Sequence, residues 1–127
     1  FSYEASITLI KQVKNYDRKA KKVTEDFYAM LYTDVDHEEA LLEEPVKLAL
    51  KDAASVKETV KVKMTDSSVP VWMAEGDKDG NLITSDKDEF LYTVTYPGHA
   101  DGKLTVVCGE KTEGTLQNQL NKDSGGG

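Results

Sequence analysis

Residues 9–30 read LIKQVKNYDRKAKKVTEDFYAM, and this stretch decides the predicted fold. Its apolar side chains recur at alternating spacings of four and three residues, at Leu9, Val13, Tyr16, Ala20, Val23, Phe27 and Met30. Because that spacing places side chains on one face of an α-helix, the pattern predicts a long amphipathic helix over about residues 3–32. No glycine or proline interrupts it.

A second, acidic helical region is predicted after this first helix. Either Asp34 or Asp36 could cap its N-terminus. Pro45 lies inside the region, and proline breaks helices, so we expect a break or two short helices there. The apolar residues that would face the core are Leu41, Leu42, Val46, Leu48 and Ala49.

After Ser55 the apolar period changes from about 3.5 to 2, which is typical of β-strands. Alternating runs occupy residues 60–65, 69–73, 90–96 and 104–108, and turn signals such as Asp79-Gly80 and Pro97-Gly98 separate them. Helices followed by a strand meander predict an α+β class, with a long N-terminal helix and shorter helices packed on a curved four-stranded antiparallel sheet. Residues 1–116 would form a single domain, and residues 117–127 a flexible polar tail.

Length and charge exclude several classes of protein. A chain of 127 residues with 39% hydrophobic residues can bury one core, and no apolar run approaches the roughly 18 residues of a membrane-spanning helix. The formal net charge of −7 argues against direct binding of nucleic acid, which requires a basic surface. The single cysteine, Cys108, excludes an internal disulfide. Because the chain begins with Phe1, we expect it to be part of a longer protein.

Motifs for metal binding and catalysis are weak. The run from Asp77 to Asn81, with Asp88 further on, resembles a calcium loop, but Leu82 stands where such a loop needs glycine. A charged hairpin tip is the preferred interpretation. Cys108 could pair with His99 or His37 as nucleophile and base, yet nothing in the sequence supplies the other parts of such a site.

We found no isolated charged residue on a predicted apolar face that would mark a buried catalytic acid. The acidic run in residues 25–44 is typical of a solvated helix face. The sequence therefore predicts no enzyme activity, no metal and no cofactor.

A local excess of basic residues in 11–22 is the strongest surface feature. On a helical wheel these side chains lie opposite the apolar stripe, and they could form a merely solvated face. They could also face anionic lipid, nucleic acid or an acidic partner, or bind the acidic run of another copy. The interface candidates are Lys11, Lys14, Arg18, Lys21 and Lys22.

The predicted element order resembles the nuclear transport factor-like (cystatin-like) fold. The residues that carry the resemblance are the helix over 2–32 and the strands from 57–65 to 103–108, including FLYTVTY at 90–96 and LTVVC at 104–108. Within that fold, the chain is similar to the VirB-eight-type component of type IV secretion systems of Gram-positive conjugative plasmids.

This resemblance implies a non-catalytic scaffold of a conjugative secretion channel. The domain would lie outside the cell membrane, with a single-pass anchor before the present segment. Its partners would be other channel proteins and further copies of itself. The alternative is a small-molecule-binding protein or enzyme with a cone-shaped pocket lined by aromatic side chains, and a third hypothesis is a calcium-binding surface module.

Overall fold

The computed structural model describes residues 3–83 and 91–122. In that part the chain forms β-strands and one short 3-10 helix, at Ala100–Gly102. The strands are β1 (Tyr3–Lys14), β2 (Asp26–Tyr32), β3 (Val46–Ala49), β4 (Ser55–Met64), β5 (Ser68–Gly76), β6 (Tyr92–Thr95), β7 (Lys103–Val107) and β8 (Lys111–Leu120).

The strands form two four-stranded sheets that share one core. The first sheet has the order β4-β1-β8-β6, and the second has the order β3-β2-β5-β7. β1 and β8 pair in parallel, whereas the other strand pairs are antiparallel. Because the first and last strands run side by side in the same direction, the chain enters the sheet at one end and leaves it at the other.

The predicted α+β class is wrong, because the segment predicted as a long helix contains β1, a loop and β2. In β1 the buried residues Ala5, Ile7 and Leu9 alternate along the strand with a period of 2. The helical stripe does not share one environment, since Tyr16 is 53% exposed and Leu9 is fully buried. β-Branched residues favour a β-strand in this segment. The burial of side chains in the folded domain then favours the strand over the helix.

The predicted second helix is also wrong. Residues 33–45 form an ordered loop, which is followed by β3. The Asp34 carboxylate accepts hydrogen bonds from the backbone N–H groups of Glu38 and Glu39, at 3.0 and 2.8 Å from Oδ1. Asp34 therefore caps a turn rather than the start of a helix.

The later strands lie where the period of 2 predicted them, but they do not form one sheet. β4 and β6 belong to the first sheet, and β5 and β7 to the second. Phe90, the predicted start of one strand, lies outside the described residues. β8 continues to Leu120, beyond the predicted domain end at residue 116.

The core lies between the two sheets. Ile7, Leu9 and Leu116 of the first sheet are fully buried, as are Leu48 and Val71 of the second. Burying each such side chain stabilises the fold by about 1.5–3 kcal/mol. The sheets thus enclose an apolar interior around the centre of β1 and β8.

Candidate functional site

Three polar side chains lie in this apolar core. Lys11 of β1 and Asn118 of β8 have no exposed surface, and Glu75 of β5 is 1% exposed. Each follows an inward-facing apolar residue two positions earlier, namely Leu9, Leu116 and Met73 in that order. Because strand side chains alternate between faces, all three must point inward.

The parallel pairing of β1 and β8 brings Lys11 next to Asn118. Lys11 lies opposite Leu116, and Asn118 lies opposite Val13. The two polar residues are therefore diagonal neighbours on the same face of adjacent strands. Glu75 reaches them across the core from the second sheet.

A closed ring of hydrogen bonds joins the three side chains. Lys11 Nζ donates to Glu75 Oε1 and to Asn118 Oδ1. Asn118 Nδ2 in turn donates to Glu75 Oε2 at 2.8 Å. The carboxyl group thus contacts both the amine and the amide nitrogen, and the amide carbonyl oxygen faces the amine.

Burial favours the neutral amine at this site. It lowers the pKa of Lys11 below its ordinary value of 10.5, and this effect outweighs the opposing effects of Glu75 and Glu25. Moving a proton from the ammonium to the Glu75 carboxylate converts two buried charges into two neutral groups, which removes their desolvation cost. In that state Lys11 would present a neutral, nucleophilic amine beside Glu75.

An aromatic ring lies next to the amine. The Phe27 ring lies 4.6 Å from Lys11 Nζ, measured to the ring centroid. Tyr92 packs edge-on against Phe27, with 5.7 Å between ring centroids. Burial raises the pKa of Tyr96 to about 12; a hydrogen bond with the Glu75 backbone opposes this rise, and the charge of Glu75 adds to it. The phenol groups near the cluster are therefore neutral at ordinary pH.

This arrangement has the parts needed to join an amine to a carboxamide. Lys11 supplies the nucleophile, Asn118 the electrophilic carbon Cγ, and Glu75 a group that can carry protons between them. The strand register and the hydrogen-bonded ring hold the reacting groups close together, and such proximity favours the reaction.

The predicted basic interface does not form one helical face. Lys11 is buried in the core, and Lys14 is half-buried at the end of β1. Arg18, at a backbone φ of 71°, lies exposed in the loop between β1 and β2. Lys21 and Lys22 follow in the same loop. The structure therefore separates Lys11 from the other four predicted residues.

The run that was compared with a calcium loop is a hydrogen-bonded turn. Asp77 Oδ1 accepts the backbone N–H groups of Asp79 and Asn81, both at 2.9 Å. These bonds lower the pKa of Asp77, those from Asn81 most of all. Asp88 lies outside the described residues. Within residues 3–83 and 91–122, no group of three or more His, Cys, Asp or Glu side chains could hold a metal ion.

The candidate nucleophile Cys108 and the candidate bases His37 and His99 lie in different segments of the fold. Cys108 is a half-buried free cysteine that directly follows β7. His37 packs against Tyr32 in the loop after β2, with ring centroids 5.0 Å apart. His99 precedes the 3-10 helix.

Two of the aromatic side chains that the alternative hypothesis assigned to a cone-shaped pocket lie in the core. Phe27 and Tyr92 are buried among apolar residues. A surface cleft of about 310 Å³ lies between Glu4, Lys61 and Lys111, and no aromatic side chain lines it.

Sequence reasoning missed Glu75 and Asn118, and it placed Lys11 on a surface. The signal was present in β1, where Lys11 continues the inward series Ala5, Ile7, Leu9. A lysine at such a position is unusual because an isolated buried charge is costly.

No family model matches the chain, and no curated protein matches it in sequence. Among solved structures, it is similar to the pilus-presented adhesin Spy0125 (Cpa), with 14% identity and a TM-score of 0.41. Another crystal structure of that adhesin gives 15% identity and a TM-score of 0.42. The match covers 91% of this chain but only 27% of the adhesin chain. Values this low identify neither family nor function.

No helix in the described parts of the chain is long and apolar enough to cross a membrane.

Proposed function

We propose that this domain forms an intramolecular amide bond between Lys11 Nζ and Asn118 Cγ and serves as a covalently locked structural module. The observation that carries the proposal is the buried ring of hydrogen bonds among Lys11, Glu75 and Asn118. A buried charged pair is weak support for stability, since apolar replacements often stabilise as well. A chemical role gives this costly cluster a reason to exist.

The reaction needs no external reagent. The neutral Lys11 amine attacks Asn118 Cγ, and the protonated Glu75 carboxyl donates its proton to the carboxamide. The bond between Nζ and Cγ forms, and Glu75 takes a proton from Nζ and transfers it to Nδ2. The bond between Cγ and Nδ2 then breaks, ammonia leaves, and the proton on the carboxamide oxygen returns to Glu75 as the carbonyl forms again. Glu75 ends in its starting form, while the amine and the carboxamide have become one secondary amide.

Such a bond would join the first and last strands of the domain. β1 and β8 are parallel neighbours, so tension on the two ends of the domain would act in opposite directions along the pair. The force would pass from β1 through the amide bond into β8. Most of the 107-residue separation between Lys11 and Asn118 would then be shielded from extension. This is the property expected of a spacer or stalk under mechanical load.

The reaction occurs once per chain and consumes Asn118, so the domain would not be an enzyme in the sense of turnover. The role of a secretion-channel scaffold, with its anchor, channel partners and position outside the cell, stays a prediction. Residues 3–32, where the helix behind that resemblance was expected, form β1, a loop and β2.

A peptide map tests the proposal. Protease digestion of the denatured protein should release a branched peptide in which the segments containing Lys11 and Asn118 are joined. The variant Glu75→Gln should yield the two segments separately. Glu113→Gln is the matched control, because Glu113 is exposed on the outer face of β8, and it should give the joined peptide. Separate segments from the wild-type protein would contradict the proposal.

A further inference from the structure

We propose that Tyr92 and Glu25 close the sandwich beside Lys11 and act as positioning residues for the crosslinking reaction. This inference rests on the proposed function and adds to it two residues that take no part in bond making.

The two residues connect the sheets. Tyr92 lies on β6 at the edge of the first sheet, and Glu25 immediately precedes β2 of the second. The Tyr92 hydroxyl donates a hydrogen bond to Glu25 Oε1 at 2.7 Å. The Glu25 backbone is itself held, because its carbonyl oxygen accepts the N–H of Leu50 at 3.2 Å. A charge-assisted bond thus ties the buried Tyr92 ring to a fixed point in the opposite sheet.

Aromatic contacts connect Tyr92 to the Lys11 amine. The Tyr92 and Phe27 rings meet edge to face, at an angle of 76°. Phe27 in turn covers Lys11 Nζ at 4.6 Å. The Glu25–Tyr92 bond therefore holds the aromatic wall that separates the amine from solvent. Neither Tyr92 nor Glu25 belongs to the hydrogen-bonded ring of Lys11, Glu75 and Asn118.

The chemistry depends on that wall because only the neutral amine can attack. Water admitted to the core would hydrate Lys11 and return its pKa toward the ordinary value. The titratable groups whose charge acts on the amine are Glu75 on β5 and Glu25 before β2. Tyr92 on β6 and Tyr96 just after it lie close enough to Glu75 for its charge to raise their pKa values. Glu75 and Glu25 both favour the charged amine, so exclusion of water is what keeps it reactive.

Timed crosslinking tests the inference. Full-length chain is recovered under denaturing conditions, verified by mass as uncrosslinked and diluted into folding buffers from about pH 6 to about pH 9, below the ordinary lysine pKa. Samples are quenched in acid, and the fraction that has lost ammonia is measured by mass spectrometry.

Tyr92→Phe keeps the ring and removes the hydroxyl. Each pKa unit regained by the amine lowers its neutral fraction about tenfold. The reacting state, with Lys11 neutral and Glu75 protonated, holds as many protons as the ion pair, so its population falls by the same factor at each pH. We therefore expect crosslinking to slow by about tenfold across the pH range. Glu25→Ala should behave in the same way, whereas Glu25→Gln keeps an acceptor and should restore most of the rate. Tyr28→Phe, which removes a hydroxyl from the outer face of β2, is the matched control.

Two results would overturn the positioning role while leaving the crosslink intact. One is a wild-type rate and pH profile in both Tyr92→Phe and Glu25→Ala. The other is a slowing in Glu25→Ala that Glu25→Gln does not reverse, which would indicate a general structural defect. If Tyr92→Phe fails to fold, the exposed Glu25→Ala and Glu25→Gln pair decides the question. Wild-type protein that never loses ammonia would instead refute the proposed function and this inference with it.

Discussion

Replacing Glu75 with glutamine is the most informative single change. The substitution keeps the shape of the side chain and an oxygen that can accept from Lys11 Nζ. It removes the acidic proton that the reaction requires. We expect Glu75→Gln to fold into the same two sheets and to retain both the Lys11 amine and the Asn118 carboxamide.

The loss of stability can be worked from the length of the closed loop. Lys11 and Asn118 are 107 residues apart in sequence. In the chain-entropy treatment of crosslinks, closing a loop of that length stabilises the folded state by about 5 kcal/mol at 25 °C. For a domain of this size, each kcal/mol changes the melting temperature by roughly 3–5 °C. The variant should therefore melt about 15–25 °C below the wild type.

The assay is thermal unfolding followed by circular dichroism, with the mass of each sample measured in parallel. Glu113→Gln removes an exposed carboxylate from the same sheet and should melt within a few degrees of the wild type. A Glu75→Gln protein that still loses ammonia would refute the proton-transfer role. A variant without the crosslink that melts at the wild-type temperature would refute the argument from loop closure.

Three further predictions concern pH, packing and the β2–β3 loop. In Glu75→Gln the unfolded chain binds a proton at Lys11 that the native chain does not, because burial lowers the native pKa of Lys11 below 10.5. The free energy of unfolding, measured in urea titrations, should therefore rise as the pH approaches 10.5, by up to about 1.4 kcal/mol per pH unit. A free energy that does not change with pH would exclude a neutral buried amine. Gly114→Ala would place a Cβ 2.4 Å from Met73 Sδ. This overpacking should lower the free energy of unfolding by about 1–3 kcal/mol in the same titrations, and wild-type stability would contradict the tight contact. Asp34→Ala removes the acceptor for the N–H groups of Glu38 and Glu39, so hydrogen exchange at these two amides should accelerate, and unchanged exchange would show that the turn is held by other contacts.

The later strands could be predicted from sequence, but the N-terminal third could not. Valine and lysine alternate at residues 60–63, a pattern that fits a strand and not a helix, and β4 lies there. Residues 9–30 also fit a helical stripe, because Leu9 and Val13 of β1 and Phe27 of β2 happen to fall at positions that match it, together with apolar residues of the loop between the two strands. Local periodicity cannot detect the turn at Tyr16 and Asp17 between them, since neither glycine nor proline marks it.

The error in fold class also concealed the candidate site. On a helix, Lys11 joins the basic residues Lys14 and Arg18, and a solvated face explains all three. On a strand, Lys11 lies between the buried Leu9 and Val13 and requires a partner. Its partners, Glu75 and Asn118, lie 64 and 107 residues away in sequence. Only the parallel pairing of β1 with β8 and the packing of the two sheets bring them together, and neither follows from local pattern.

The measurement that tests the central claim most directly is the intact mass of the wild-type protein, determined after full denaturation. The proposed amide bond predicts a mass lower than that of the printed sequence by one ammonia, with the difference located on a peptide that joins Lys11 to Asn118. An unmodified mass would contradict the claim. So would an ammonia loss confined to a single unbranched peptide, because a cyclic imide at one asparagine produces the same change in mass.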